Sequence, residues 1–173
     1  MFNCKIIDTP RDGSCFFTAI AIALNDSESS WSKDRERLRV LMEEHWLDYN
    51  YATGETPDGL TANMVRFMCS NHLDETSLEL YNVEAQFRKD TEKEKFVRTY
   101  KSLEEMKNHV RTSNCWADHG IIRAFLDSLE YRCGLIIFDP EFGGMVHLPK
   151  EWTEKKDIYI CLLRKKNHYS VVS

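Results

Sequence analysis

Asp12-Gly13-Ser14-Cys15-Phe16-Phe17-Thr18-Ala19-Ile20-Ala21 is the stretch on which the reading of this 173-residue chain turns. A tight, glycine-containing turn runs straight into a segment with apolar residues on every side, the pattern of a central, buried helix over residues 15–24. Cys15 stands in its first turn. A thiol placed there meets the positive end of the helix dipole and backbone N–H groups that lack intrahelical partners. Both favour the thiolate, the nucleophilic form. Gly13 permits a positive φ in the turn, and Asp12 is suited to accept hydrogen bonds from it and fix its shape. A plainer reading competes, in which Asp12 caps the helix and Cys15 is a small buried apolar side chain. At the other end, Asn167-His168-Tyr169-Ser170-Val171 sets a histidine at the start of a short apolar strand. A cysteine near one terminus and a histidine near the other is a common layout of cysteine hydrolases.

Outward from these two ends, the chain divides into helices first and strands last. Helical spacing predicts helices over 32–49, 61–70, 102–110 and 117–130, the third opened by the capping-box pattern Ser102-Leu103-Glu104-Glu105. Residues 73–100 carry charge runs such as Arg88-Lys89-Asp90 and read as exposed helical or loop segments. Strands are expected at 5–7, 133–138, 157–163 and 168–172, with a short one at 145–147 after the Gly143-Gly144 turn. That order, without regular alternation, predicts an α+β fold with a small, mainly antiparallel sheet packed between helices. No linker or repeat divides the chain, so residues 1–173 are expected to form a single domain.

Composition narrows the function classes. A net charge of −5 argues against a nucleic-acid partner, whose phosphates need a basic face, and the cluster Arg164-Lys165-Lys166 does not overturn it. No apolar run reaches the length of a membrane span, and Met1 to Lys5 lack the pattern of a signal peptide. The cysteines at 4, 15, 69, 115, 133 and 161 form no Cys-x-x-Cys pair, and the histidines at 45, 72, 109 and 147 have no metal-ligand spacing with them. Buried thiols in a reducing compartment are the expectation, with no metal, no cofactor and a monomer in the cytoplasm.

Three blocks resemble one family. Asp12-Gly13-Ser14-Cys15-Phe16-Phe17 resembles the D-G-x-C-[LF]-[FY] signature of the ovarian-tumour (OTU) family of cysteine proteases, most of which are deubiquitinases. Lys166-Asn167-His168-Tyr169 resembles that family's C-terminal H-Y segment, and Asn114-Cys115-Trp116-Ala117-Asp118-His119 its central W-[GA]-x block. The resemblance implies a papain-like OTU fold and a partner in ubiquitin, polyubiquitin or a ubiquitin-like modifier. It implies Cys15 as nucleophile, His168 as general base, and Asp12 shaping an oxyanion turn with Gly13 and Ser14. Trp116, Asn167 and Tyr169 would then lie beside the substrate, although packing alone would also account for Trp116. Compact members of this kind act on a host from viruses or bacteria. Residues 26–111 match no block and are expected to hold the variable substrate-binding helices.

The third catalytic residue stays open. Many members have Asp or Asn two residues after the histidine; here that residue is Ser170, which can accept a hydrogen bond but brings no charge to an imidazolium. Some relatives take an acid from before the cysteine, which makes Asp8 the first candidate, with Asn167 and Asp118 behind it and a Cys–His dyad as the remaining option. His119 reads as a helix-start histidine with a structural hydrogen bond. Two other readings stand beside the protease: a non-catalytic ubiquitin-binding module of the same fold, and a papain-type peptidase. Phe16 counts against the second, because papain-type enzymes place Trp or Tyr after the cysteine.

Overall fold

Phe16, Phe17 and Ile20 are almost wholly withdrawn from solvent, so the apolar segment after the glycine turn does form the central helix. The structure is a computed structural model and describes residues 5–25, 38–40, 44, 61–91, 98–112, 117, 119–129, 133–141, 143–147, 159–166 and 168–172. The elements run β1 (Ile6–Ile7), α1 (Cys15–Asn25), α2 (Ala62–Asn71), α3 (Glu75–Thr91), α4 (Leu103–Thr112), α5 (His119–Ser128), β2 (Gly134–Asp139), β3 (Gly143–His147), β4 (Tyr159–Lys165) and β5 (His168–Val172). The helix expected over 32–49 lies mostly outside the described residues; 38–40 and 44 are helical.

Local chemistry sets several of these boundaries. Thr61 caps α2 by accepting from the Met64 N–H. At α4, Ser102 Oγ accepts from the Glu105 N–H at 3.2 Å, as the capping box requires, while the Glu105 carboxylate reaches one residue further back to the Lys101 N–H at 3.1 Å. The 17-residue α3 resolves the middle of the chain into an exposed helix whose only fully buried side chain is Ala85.

The five strands order β1-β5-β4-β2-β3. All neighbours are antiparallel except β2 and β4, which run parallel with Leu135 opposite Ile160. The predicted α+β architecture with a small, mostly antiparallel sheet packed among helices is thus the observed one. Strand alternation assigns the two faces. Leu135, Ile137, Ile160, Leu162, Tyr169 and Val171 are buried on one face, and α1 packs there. His168 and Ser170 fall on the other face, beside Leu163 and the half-exposed Ile136.

Phe16 meets Tyr169 edge to face with centroids 5.3 Å apart, and meets Phe125 of α5 in the same manner at 6.2 Å. Cys15 and His168 are the chain neighbours of the first pair, so this core contact brings the start of α1 to the start of β5. Truncating a side chain buried like Phe16 costs about 3–5 kcal/mol.

Candidate active site

β1 is only two residues long, yet its register decides where the chain runs next. Ile6 pairs with Val172 and Ile7 with Val171, so the chain leaves β1 alongside the first residues of β5. Thr9 precedes Pro10, which holds it extended and carries the segment onward beside Ser170, Tyr169 and His168. Thr9 is buried, and its Oγ1 donates to the Tyr169 carbonyl at 2.6 Å. That bond fastens the segment to β5 and sets the position of Asp8.

One oxygen of Asp8 then collects three donors. His168 Nε2 stands 2.8 Å from Oδ1, Ser170 Oγ donates to it at 2.9 Å, and the Thr9 N–H donates at 2.9 Å. The His168 hydrogen bond first, then those of Ser170 and Thr9, hold the Asp8 carboxyl at a pKa of about 2, below its ordinary 3.8. An ionised carboxylate only accepts, so His168 Nε2–H is the donor to Asp8, which leaves Nδ1 with the lone pair whenever the ring is neutral. Ser170 shares the face of His168 but turns its hydroxyl to Asp8 instead of to the ring.

The Cys15 turn is shaped by Asp12. Its Oδ1 accepts from the Ser14 N–H at 2.9 Å, and its carbonyl accepts from the Cys15 N–H at a long 3.4 Å. The Ser14 carbonyl takes the first helical bond, from the Thr18 N–H at 2.9 Å. Among the described residues the glycine with positive φ is Gly143 (φ 80°), so the turn closes without a left-handed Gly13. Cys15 is 2% exposed, more enclosed than a partly open site would have it. The hydrogen bonds of His168 go to Asp8 and Thr9, and none joins it to Cys15 among the described residues.

The remaining candidates separate clearly. Trp116, Asn167 and Asp118 lie outside the described residues. Tyr169 does not face a cleft: alternation turns it to the side opposite His168, where it is 4% exposed and packed on Phe16. Its ring lies against Phe16, beneath the strand that carries His168. His119 is the first residue of α5. An open cavity of about 550 Å³ is lined by Asp8, His168 and Ser170 together with Arg11, Leu163 and Lys165, and Cys15 is not among its walls. No group of His, Cys, Asp and Glu suited to a metal ion is found among the described residues.

Two contributors carry weaker sequence signals. Thr9 was marked only by the proline after it. Arg66 is a lone charge inside the apolar run Met64-Val65-Arg66-Phe67-Met68, and it is 3% exposed with a hydrogen bond to Ser14.

No protein-family model matches the chain, and no curated protein matches it by sequence. Solved structures do. An OTU deubiquitinase from Wolbachia pipientis wMel bound to ubiquitin superposes with a TM-score of 0.56 at 12% identity, over 99% of this chain and 96% of that one. The h/ceOTUB1 chain in its complex with ubiquitin aldehyde and UBCH5B~Ub gives 0.55 at 18% identity, over 94% and 73%. An OTU domain in complex with ubiquitin gives 0.50 at 16%, over 98% and 69%. At such identities the likeness is one of fold, and the fold is that of the OTU domain.

Proposed function

We propose that this chain is a cysteine-type deubiquitinase that hydrolyses the isopeptide bond after the C-terminal glycine of ubiquitin or a ubiquitin-like modifier. The observation that carries the reading is the Asp8–His168 pair at 2.8 Å, set one residue from the Tyr169–Phe16 contact that abuts Cys15. The OTU fold adds support, since solved chains with that fold include deubiquitinases bound to ubiquitin. We read residues 1–173 as one catalytic domain acting as a monomer in the cytoplasm, without metal or cofactor.

In this reading His168 Nδ1 takes the thiol proton and Cys15 Sγ attacks the glycine carbonyl carbon. Asp8 holds the resulting imidazolium through Nε2–H. The carbonyl π pair moves to oxygen, where N–H groups of the turn from Gly13 to Cys15 stabilise it. Collapse breaks the C–N bond, and the leaving lysine nitrogen takes the proton from His168. Water, deprotonated by His168, then hydrolyses the thioester and regenerates the thiol. The missing Cys15–His168 hydrogen bond is consistent with free enzymes, whose catalytic contacts often tighten only with substrate bound.

One observation favours a second reading. A cysteine only 2% exposed suits a non-catalytic ubiquitin-binding module of the same fold. A ubiquitin carrying a C-terminal electrophile separates the two. Covalent capture at Cys15, with turnover in a panel of linkage-defined diubiquitins, supports the enzyme. Binding without adduct or turnover supports the module, and labelling at Cys69 or Cys133 sinks the site.

A further inference from the structure

The cavity of about 550 Å³ beside the base holds more than the proposed chemistry uses. Asp8, His168 and Ser170 line part of it, and the remaining walls come from residues with no step to perform. Register brings these together. Lys165 is paired with His168, and Leu163 with Ser170, across the β4–β5 ladder, so both β4 side chains share the face of the base. Arg11 arrives on the segment that delivers Asp8, while Asp139 and Glu141 come from the turn between β2 and β3. Ile6 and Leu163 add apolar surface.

Position and charge together say what such a space would hold. The acyl carbon must lie against Cys15 Sγ, whereas the leaving nitrogen takes its proton from His168. The cavity is walled by the base and not by Cys15, which sets it on the leaving-group side of the bond. The side chains of Arg11, Lys165 and the neighbouring Lys166 are exposed and make no hydrogen bond or ion pair among the described residues. Two of the carboxylates are already engaged. Asp8 Oδ1 has its three donors, and Asp139 Oδ1 accepts from the Glu141 N–H at 2.9 Å. An anion therefore finds open partners next to the base. A long polyphosphate would also meet Asp139 and Glu141, whereas a peptide bearing one or two carboxylates, with side chains to pack on Ile6 and Leu163, suits both the charges and the apolar surface.

We propose that this cavity receives the protein released as the leaving group, and that Arg11 and Lys165 select modified lysines flanked by aspartate or glutamate. The inference rests on the hydrolase reading, because the side of the bond follows from the roles of Cys15 and His168. Lysine carries its nitrogen on a flexible four-carbon stem, so its sequence neighbours can lie in the cavity while that nitrogen reaches the base.

The test uses ubiquitin joined to the lysine of a short peptide in which the flanking residues are glutamates, alanines or arginines. The ratios of kcat/KM among these substrates are measured for wild type, Arg11→Glu, Lys165→Glu and the double variant. Wild type is expected to favour the glutamate peptide over the arginine peptide by about tenfold, a preference that shrinks as salt screens it. Each single reversal should cut that ratio severalfold, and the double variant should invert it. Because each ratio is taken on one enzyme, altered folding or a weakened base cancels from it. A wild type without preference, or a ratio that survives both substitutions, would overturn the proposal. So would equal losses on all three peptides, the mark of a cavity that holds the modifier's own tail.

A second measurement needs no catalysis. The unmodified glutamate peptide, the product of the reaction, is titrated into isotope-labelled wild type and followed by NMR. Amide shifts are expected around Arg11 and Lys165, and not in the double variant or with the arginine peptide. If those shifts appear while every ubiquitin conjugate stays intact, the hydrolase reading fails and the cavity stands as a site for acidic segments. If the conjugates are cleaved at equal rates and no shifts appear, the hydrolase reading stands and the proposal falls.

Discussion

Cys15 and His168 begin adjacent elements, yet the two halves of the site are built by different forces. The half around Cys15, the proposed nucleophile, is sealed: Cys15 is 2% exposed, with Phe16 and Phe17 behind it and the buried Arg66 hydrogen-bonded to Ser14. The half around His168, the proposed base, is more open: the Asp8 side chain is 65% exposed and that of His168 15%. Close packing fixes a position but leaves no slack, because interiors have few voids into which a changed side chain can relax. Hydrogen bonds at a wet surface are weakened by solvent, and a single exposed ion pair contributes little. Asp8 compensates by number, with three donors on one oxygen. Loss of Cys15 itself should therefore be all-or-none, and losses among Asp8 and the donors around it graded.

The largest effect tests the sealed half. Cys15→Ala should abolish hydrolysis of diubiquitin with the fold intact, since an alanine fits the space and only the chemistry is lost. Residual cleavage measured over many hours would point to another nucleophile. On the open half, His168→Ala should cost at least about a thousandfold in kcat, as removal of one member of a coupled pair does. Near-normal turnover in that variant would transfer the base's role to another histidine, His119 first.

Graded losses should follow at Asp8 and its donors. Asp8→Asn should lower kcat by about tenfold with little change in KM, because the ring loses the charge that steadies the imidazolium and binding is untouched. Ser170→Ala removes one of three donors to Asp8 and should cost only about two- to threefold. An untouched Asp8→Asn beside a crippled Ser170→Ala would reverse these roles. The same carboxylate gives a pH signature. Its folded-state pKa is about 2 and its ordinary value 3.8, so the pairing adds stability above pH 3.8 that is lost as pH falls toward 2. Denaturant midpoints of wild type and Asp8→Asn should differ at neutral pH and converge near pH 2.

Legibility in the sequence divides along the same line. α1 and β5 could be read almost to the residue, because a continuous apolar run after a glycine turn and a short apolar run after a polar one are local signals. Asp8 could be named but not chosen, since its partner lies 160 residues away and their meeting depends on the β1–β5 register. Tyr169, which the family resemblance implied beside the substrate, is buried against Phe16, because period-two alternation on a strand sends it to the face opposite His168. Arg66 had no local signal beyond a charge in an apolar run, and its partner Ser14 is 52 residues away. The parallel pairing of β2 and β4 was equally hidden, because the strands carry apolar residues suited to either direction.

The smallest expected effect lies in the two-residue link between Lys165 and His168, which are paired across the β4–β5 hairpin. Lys166 there has φ 47°, the left-handed region, and is the only non-glycine residue so placed among the described ones. Tight hairpins favour positive φ because it matches the twist of the flanking strands, but a side chain at such a position costs about 1–2 kcal/mol. Glycine removes that strain and gives back roughly half of it in unfolded-state entropy. Lys166→Gly should therefore stabilise the protein by about 0.5 kcal/mol in urea unfolding, and Lys166→Val, β-branched and strained further, should destabilise it. The sign of the first change sharpens the contrast between the halves. If Lys166→Gly stabilises the fold yet slows turnover by more than about twofold, then the start of β5 must be held under strain for His168 to face Asp8. If it stabilises the fold and leaves kcat alone, the three donors on Asp8 suffice to orient the base, and the open half of the site owes its geometry to hydrogen bonds rather than to the turn.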